Sequence, residues 1–158
     1  MSLVLPAETI VTTDVGSHKY LFGQFWPSRH PDTFWMSNGL SGMAYGLSAA
    51  IGAKLARPDV PVVAAVGDGG FSMLMAEFAT AVKYQLPIKV VLIKNNTLGM
   101  IKWEQMVFLG NPEYGCELQP IDFAAFARAC GATGFTVEDP KNCGAVLDQA
   151  LATAGPVI

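Results

Sequence analysis

Apolar residues recur along the chain in two alternating patterns, short β-branched runs and longer segments with helical spacing. The short runs predict strands, at residues 9–13, 61–66, 88–93, 135–137 and, cut short, 155–158. The longer segments predict helices, at residues 41–55, 72–84, 123–129 and 145–154. Strands that alternate with helices favour right-handed βαβ crossovers. We therefore expect an α/β fold with three layers, α/β/α, around a mainly parallel sheet.

Composition and charge narrow the possible partners. The chain has 158 residues, 51% of them hydrophobic and 15% charged, which predicts one globular domain over residues 1–158. The net charge is −3 and the ten Lys and Arg residues are scattered, so neither nucleic acid nor an anionic membrane is an expected partner.

Two further features bear on location. The least charged stretch, residues 39–53, is too short and too weakly apolar to predict a transmembrane segment. The three cysteines have neither disulfide-framework nor zinc-site spacing, and this favours a reducing compartment. We expect the protein to be cytoplasmic.

A glycine-rich turn follows the predicted strand at residues 61–66. Its sequence, Gly67-Asp68-Gly69-Gly70, has neither the lysine of a P-loop nor the spacing of a dinucleotide-binding turn. Glycines let a backbone approach a ligand closely, and free N–H groups at a helix start favour an anion. Because the turn carries an aspartate in place of a lysine, a phosphate bound there requires a metal to neutralise it.

A second polar turn follows the next predicted strand, with Asn95 and Asn96 at its start. If the two strands are neighbours, Asp68 and Asn95 emerge side by side at the same edge of the sheet. A carboxylate and an amide oxygen suit Mg²⁺ completed by phosphate and water. Either turn alone is common and has an ordinary structural interpretation, so the prediction of a diphosphate with its metal depends on their pairing.

These residues resemble the thiamine diphosphate enzymes related to pyruvate oxidase, acetolactate synthase and benzoylformate decarboxylase. The metal motif of that family is Gly-Asp-Gly followed at a set distance by Asn, and Asp68 and Asn95 have that distance. Further similar blocks lie at residues 11–16, 42–46, 49–53 and 155–157. The resemblance implies the thiamine diphosphate-binding fold, with residues 1–158 forming the pyrophosphate-binding domain of a larger enzyme. Lys94 departs from the pattern, since many relatives carry an asparagine there.

The resemblance also implies which residues hold the cofactor. The expected Mg²⁺ ligands are the side chains of Asp68 and Asn95 and the main-chain carbonyl of Thr97. Gly69 and Gly70 are expected to donate N–H groups to the diphosphate. The full set implied to contact the cofactor is Ser17, His18, Ser41, Met43, Gly67, Asp68, Gly69, Gly70, Asn95, Leu98, Gly99 and Met100.

Three of these residues have more specific implied roles. His18 contacts the diphosphate, Met43 wedges the cofactor into a bent shape, and the backbone of Ser41 meets the aminopyrimidine. Without the resemblance, Met43 is interpreted as a packing methionine and His18 as a half-exposed loop histidine.

The implied activity of the parent enzyme is decarboxylation of a 2-oxo acid. Residues 71–73 and 98–102 look closest to the pyruvate oxidase and pyruvate dehydrogenase branch, so pyruvate is the favoured substrate. The alternative is an acetolactate synthase-like carboligase. A non-catalytic Mg²⁺-nucleotide-binding or oligomerisation module is the rival from another class.

The resemblance places no catalytic residue in this chain. The glutamate that protonates the cofactor's pyrimidine lies in a separate pyrimidine-binding domain of these enzymes, so the isolated chain is expected to be inactive. We expect that domain as a partner, in a homo-oligomer, either a dimer or a tetramer. FAD is possible in the parent enzyme, but this domain is not expected to bind it.

Overall fold

The sheet is parallel and has its longest strand near its centre. The computed structural model describes residue 1 and residues 4–158. Within those residues, the strands are β1 (Ile10–Thr13), β2 (Phe34–Met36), β3 (Val62–Gly67) and β4 (Lys89–Ile93), in the order β2-β1-β3-β4. All three strand pairs are parallel, with Val11 opposite Val63 and Ala65 opposite Val91.

Helices connect the strands and follow the last one. They are α1 (Ser17–Phe25), α2 (Tyr45–Ala56), α3 (Asp68–Met73), α4 (Glu77–Lys83), α5 (Gly99–Trp103), α6 (Phe123–Ala129) and α7 (Cys143–Ala152). A π-helical turn, Glu104–Phe108, continues α5, and a 3₁₀ turn, Pro140–Asn142, precedes α7. Over the described ranges, no helix has the length and apolar character needed to cross a membrane.

Successive residues of β3 face two different apolar clusters, as expected for a sheet covered on both sides. Val62, Ala64 and Val66 lie in the larger cluster, which also contains Leu47 of α2, Phe71 of α3, Phe78 of α4 and Phe123 of α6. Val63 lies in the smaller cluster, against which Phe22 of α1 and Leu151 of α7 pack. The predicted three-layer α/β/α architecture is therefore confirmed.

Close contact between α2 and the sheet fixes the position of the segment that precedes this helix. The Thr12 hydroxyl donates to the Gly46 carbonyl over 2.7 Å. A methyl group built on Gly46 would lie 2.7 Å from Val66 Cγ1, so only glycine allows this approach. The first turn of α2 is thus held against the carboxyl ends of β1 and β3.

Three of the helices and strands were not predicted from the sequence, namely β2, α1 and α5. β2 has three residues, all only partly buried, and so has too little periodicity to be recognised. In α1 the apolar residues Tyr20, Leu21 and Phe25 are exposed, so the apolar positions of this helix do not share one buried face.

The structure also corrects four predicted elements. Residues 155–158 do not form a strand, since only Val157 forms β-bridges, which are isolated ones to Lys89 and Thr133. Residues 135–137 do not form a strand. The Phe135 N–H donates to the Ile158 carbonyl over 2.9 Å, next to the bridge between Thr133 and Val157, but residues 136 and 137 are exposed. The predicted helix at 72–84 is interrupted between α3 and α4, and α3 begins at Asp68 itself. The helix predicted from residue 41 begins at Tyr45, because Ser41 and Ala44 have left-handed φ angles of 50° and 70°.

Lys89 is buried at the first position of β4, at the opposite end of the strand from its carboxyl end. Its Nζ donates to the carbonyls of Thr153 and Gly155 and lies near the positive charge of Lys54. Burial, with a smaller contribution from Lys54, lowers the pKa of Lys89 to about 8. Since the unfolded lysine titrates near 10.5, the unfolded chain binds more protons between these two values.

We therefore predict that the free energy of unfolding rises with pH between about 8 and 10.5. The Lys89→Met variant should lose this rise, whereas Lys83→Met, which replaces an exposed lysine, should retain it. Urea unfolding at several pH values measures the slopes. Parallel slopes for the wild type and Lys89→Met would contradict the prediction.

Candidate functional site

An open cleft of about 230 Å³ lies where the carboxyl ends of β3 and β4 meet the first turn of α1 and the start of α5. It brings together nearly all of the predicted site residues, namely Ser17, His18, Met43, Gly67, Asp68, Gly69, Gly70, Asn95, Thr97, Leu98, Gly99 and Met100. Ser41 is the predicted contact that does not line it. Clefts at this edge are the usual ligand sites of parallel α/β sheets.

Asp68 links the two strand-end turns. It is buried, and its Oδ1 accepts the Gly69 N–H at 2.9 Å. Its Oδ2 accepts the N–H groups of Asn95, at 3.1 Å, and of Asn96, at 2.6 Å. The predicted juxtaposition of Asp68 and Asn95 is therefore present. A carboxylate can accept about four hydrogen bonds, and these three leave about one acceptor position for another ligand.

Asn95 and Thr97 form the other side of the turn. Asn95 Oδ1 accepts the Thr97 N–H at 3.2 Å, which fixes the side chain in an Asx turn. The Thr97 hydroxyl donates to the Cys116 carbonyl, and residues 97 and 117 form an antiparallel bridge. The segment around Cys116 thus supports the turn from outside.

Glycines bring backbone and side chains close together around the cleft. A methyl group built on Gly69 would lie 2.8 Å from Leu98 Cδ2 and 3.5 Å from Met43 Cε. One built on Gly70 would lie 2.6 Å from Asp14 Oδ2. The Gly69 N–H is not free, because it donates to the Asp68 carboxylate, and this differs from the free donor that the sequence predicts.

His18 lies on α1 and is only 7% exposed, so the interpretation as a half-exposed loop histidine is wrong. It forms a hydrogen bond with the backbone of Asp14, while its Nε2 is buried and has no partner among the described residues. Burial lowers the pKa of His18, and the negative charges of Asp14 and Asp68 oppose the shift. An imidazole whose Nε2 has no partner among the described residues therefore lies at the wall of the cleft.

Asp14 is fully buried at the carboxyl end of β1, behind Gly70. Its Oδ1 accepts the Val15 N–H at 2.7 Å, and its Oδ2 has no partner among the described residues. Burial raises the pKa of Asp14, against hydrogen bonds from the backbone of Val15 and Gly46 and the nearby His18. The residue supports the turn that leads to Ser17 and does not line the cleft.

Several lining residues were not predicted, namely Val15, Gly16, Ile93, Ile101 and Glu104. Met100, which was predicted, and Glu104 are four residues apart and so share a face of a helix, so the predicted position of Met100 indicates Glu104 as well. Val15 and Gly16 adjoin Ser17, but no chemical property of their side chains indicates a site.

Comparison with known proteins gives matches over nearly the whole chain. A family model described as "Thiamine pyrophosphate enzyme, C-terminal TPP binding domain" matches residues 14–158. The putative thiamine pyrophosphate-containing protein YdaP of Bacillus subtilis is 40% identical over 151 residues, which cover 96% of this chain and 26% of that protein.

Two acetolactate synthases match to a similar extent. Isozyme 2 large subunit of Escherichia coli is 38% identical over 97% of this chain and 28% of its own length. The mitochondrial catalytic subunit of Saccharomyces cerevisiae is 37% identical over 94% of this chain and 22% of its own length. The chain spans about a quarter of the length of these relatives. By sequence and fold, the chain belongs to the thiamine pyrophosphate (thiamine diphosphate) enzymes and matches their C-terminal cofactor-binding domain.

Proposed function

We propose that the chain binds the diphosphate of thiamine diphosphate through one Mg²⁺, held by Asp68, Asn95 and the main-chain carbonyl of Thr97. The observation that carries this proposal is the juxtaposition of Asp68 and Asn95 at the ends of neighbouring strands, each with an oxygen that can accept a further ligand. Such an oxygen set suits Mg²⁺, which usually takes its remaining ligands from phosphate and water.

The charges around the cleft support a metal-dependent diphosphate site. Asp68 and Glu104 line it, whereas no Lys or Arg does so among the described residues. A diphosphate would therefore meet negative side chains without a protein cation to balance them, and a bound divalent ion would supply that charge. No group of three His, Cys, Asp or Glu that could hold a metal is found in the described ranges. Mg²⁺ usually takes part of its coordination from substrate phosphates and water.

The unpaired Nε2 of His18 supports the same ligand. Buried polar atoms in proteins almost always have a partner, and an orphaned one in a cleft calls for an explanation. A phosphate oxygen or its bound water would supply the missing hydrogen bond. Gly67 fits this arrangement, since a methyl group there would lie 3.2 Å from His18 Cε1.

The cofactor and the chain would contribute differently to the reaction. When bound, thiamine diphosphate supplies the nucleophile for the decarboxylation of a 2-oxo acid. The chain's part would be binding and orientation. Asp68 and Asn95 would hold the metal, His18 and Ser17 would meet the diphosphate, and Met43, which projects towards Gly69, would shape the rest of the cleft.

For the parent enzyme we propose an acetolactate synthase-like carboligase, the alternative from the sequence, in preference to a pyruvate oxidase. Two of the three relatives described above are named acetolactate synthases, and none is named a pyruvate oxidase. Pyruvate stays the proposed substrate.

The test of this choice uses the complete polypeptide that includes the chain, supplied with thiamine diphosphate, Mg²⁺ and pyruvate. A carboligase converts two pyruvates into one 2-acetolactate and one CO₂ without an oxidant. Acetolactate as the main product would support the proposal. In a parallel assay that also contains inorganic phosphate and an electron acceptor, reduction of the acceptor with acetate or acetyl phosphate as the main product would contradict it.

We also propose that a pyrimidine-binding domain, in a dimer or tetramer, covers the mouth of the cleft. Large apolar side chains are exposed beside it, among them Ile101, Trp103, Met106, Phe108 and Leu109. Exposed apolar patches of this kind mark interaction surfaces. The cytoplasm stays the proposed compartment because all three cysteines are free.

His18 offers a test that separates binding from stability. We predict that His18→Leu weakens binding of Mg²⁺ with inorganic diphosphate about tenfold, because the variant lacks the hydrogen-bonding nitrogen. Its free energy of unfolding should change by less than about 1 kcal/mol, since the loss of the bond to Asp14 is offset by removal of an unpaired buried nitrogen. Titration calorimetry and urea unfolding measure the two effects.

The matched control for this variant is His30→Leu, which replaces an exposed histidine outside the cleft. It should leave both quantities unchanged. Unaltered diphosphate affinity in His18→Leu would remove His18 from the proposed site.

A further inference from the structure

The segment between β2 and α2 is held in an unfavourable backbone conformation. Ser41 and Ala44 have φ angles of 50° and 70°, in the left-handed region that non-glycine residues rarely adopt. Met43 lies between them and lines the cleft, with its Cε 3.5 Å from where a methyl group on Gly69 would stand. Such strain persists only where the surrounding structure enforces the conformation, and it is concentrated at functional sites.

The side chain of Lys19, on α1, forms hydrogen bonds with this segment. The Nζ of Lys19 donates to the Ser37 carbonyl and to the Ser41 hydroxyl, the latter over 3.0 Å. The same hydroxyl donates to the Ser37 carbonyl at 3.3 Å, so the three groups form a closed set of hydrogen bonds. Lys19 is partly buried, and in the part of the chain that the structure describes no carboxylate forms a salt bridge with it.

Lys19 follows directly after the two α1 residues that line the cleft, Ser17 and His18. The Lys19 side chain therefore connects α1, which lines one side of the cleft, to the segment that carries Met43 on the other side. Hydrogen bonds from a charged donor are stronger than those between neutral groups. Lys19 is thus well placed to hold the strained conformation.

We propose that Lys19 is a positioning residue that clamps residues 37–41 to α1 and so keeps Met43 projecting into the cleft. The inference rests on the proposed function, because it assumes that Met43 meets the part of thiamine diphosphate beyond the diphosphate. A ligand that occupies only the diphosphate side should then be insensitive to Lys19, whereas the whole cofactor should depend on it.

The test compares two ligands in calorimetry, each with Mg²⁺: thiamine diphosphate and inorganic diphosphate. Lys19→Met removes the donors and keeps a similar stem, Lys19→Arg keeps donors, and Lys83→Met controls for the loss of a lysine elsewhere. We expect Lys19→Met to weaken thiamine diphosphate binding about tenfold and to leave inorganic diphosphate binding within about twofold of the wild type. Lys19→Arg should restore most of the cofactor affinity.

NMR relaxation of the ligand-free chain tests the clamp without any cofactor. The backbone order parameters of residues 41–44 should fall in Lys19→Met and in the milder Ser41→Ala variant, and should keep the wild-type values in Lys83→Met. Equal loss of affinity for both ligands, or unchanged order parameters at residues 41–44, would overturn the proposal. A wild-type chain that binds neither ligand would contradict the proposed function, and the order parameters would still decide whether Lys19 holds the segment.

Discussion

Replacing Asp68 with alanine should reduce metal-dependent binding of thiamine diphosphate by about a hundredfold or more, equivalent to about 3 kcal/mol. The variant loses the proposed charged metal ligand. It also loses the three backbone hydrogen bonds that join the turn at Gly69 to the turn at Asn95 and Asn96. With Mn²⁺ in place of Mg²⁺, electron paramagnetic resonance measures free and bound metal in the presence of the cofactor.

The matched control for this change is Asp122→Ala. Asp122 also accepts a backbone N–H, that of Ala125 at 2.8 Å, but it caps α6 and does not line the cleft. This control should lose about 1 kcal/mol of stability and keep its metal affinity. If Asp68→Ala binds Mn²⁺ and cofactor as the wild type does, the proposed metal site is wrong.

The largest loss of stability is expected for Gly134→Ala. A methyl group at this position would lie 2.2 Å from the Ala124 carbonyl oxygen and 2.6 Å from Ala124 Cα. Both are backbone atoms of α6, so no change of rotamer relieves the overlap. The segment would have to move away from α6, breaking the bridge between Thr133 and Val157. We predict destabilisation by about 3 kcal/mol or more, measured by urea unfolding.

Gly52→Ala is the control for this variant. Gly52 is exposed on α2, and a methyl group there would meet no atom within 4 Å. Because alanine favours a helix more than glycine does, this variant should be more stable by about 0.5–1 kcal/mol. A Gly134→Ala variant as stable as the wild type would show that α6 and residue 134 are not packed as described.

The placement of Asp68 and Asn95 could be predicted because it depends on local sequence and one topological rule. Each residue follows an apolar run that forms a strand, and parallel strands end at the same edge of the sheet. The helix α6 could be predicted for a similar reason, since its apolar positions repeat with helical spacing and Asp122 caps it.

Features that depend on tertiary packing could not be predicted from pattern. The apolar residues of α1 are largely exposed and do not repeat as one buried helical face, so the sequence pattern did not predict this helix. The burial of His18, which depends on the helix, was therefore not predicted either. The left-handed conformation of Ser41 likewise could not be predicted from the neighbouring residues. It occurs together with a hydrogen bond from Lys19, which is 22 residues away in the sequence. Residues 135–137 have strand-like composition, but the adjacent residues 156–158 pair with only Thr133 and Phe135 of this segment, which is too short a contact to form a strand.

The most direct test of the central claim is calorimetric titration of the 158-residue chain with thiamine diphosphate and with inorganic diphosphate. Each titration is made with Mg²⁺ and again with EDTA, and ADP serves as the competing ligand. We predict that both diphosphates bind only with Mg²⁺, because the metal joins them to Asp68 and Asn95. We also predict that thiamine diphosphate binds more tightly than ADP, because Met43 shapes the cleft for the part of the cofactor beyond the diphosphate. Binding that is indifferent to EDTA, a preference for ADP, or no binding of either diphosphate would contradict the claim.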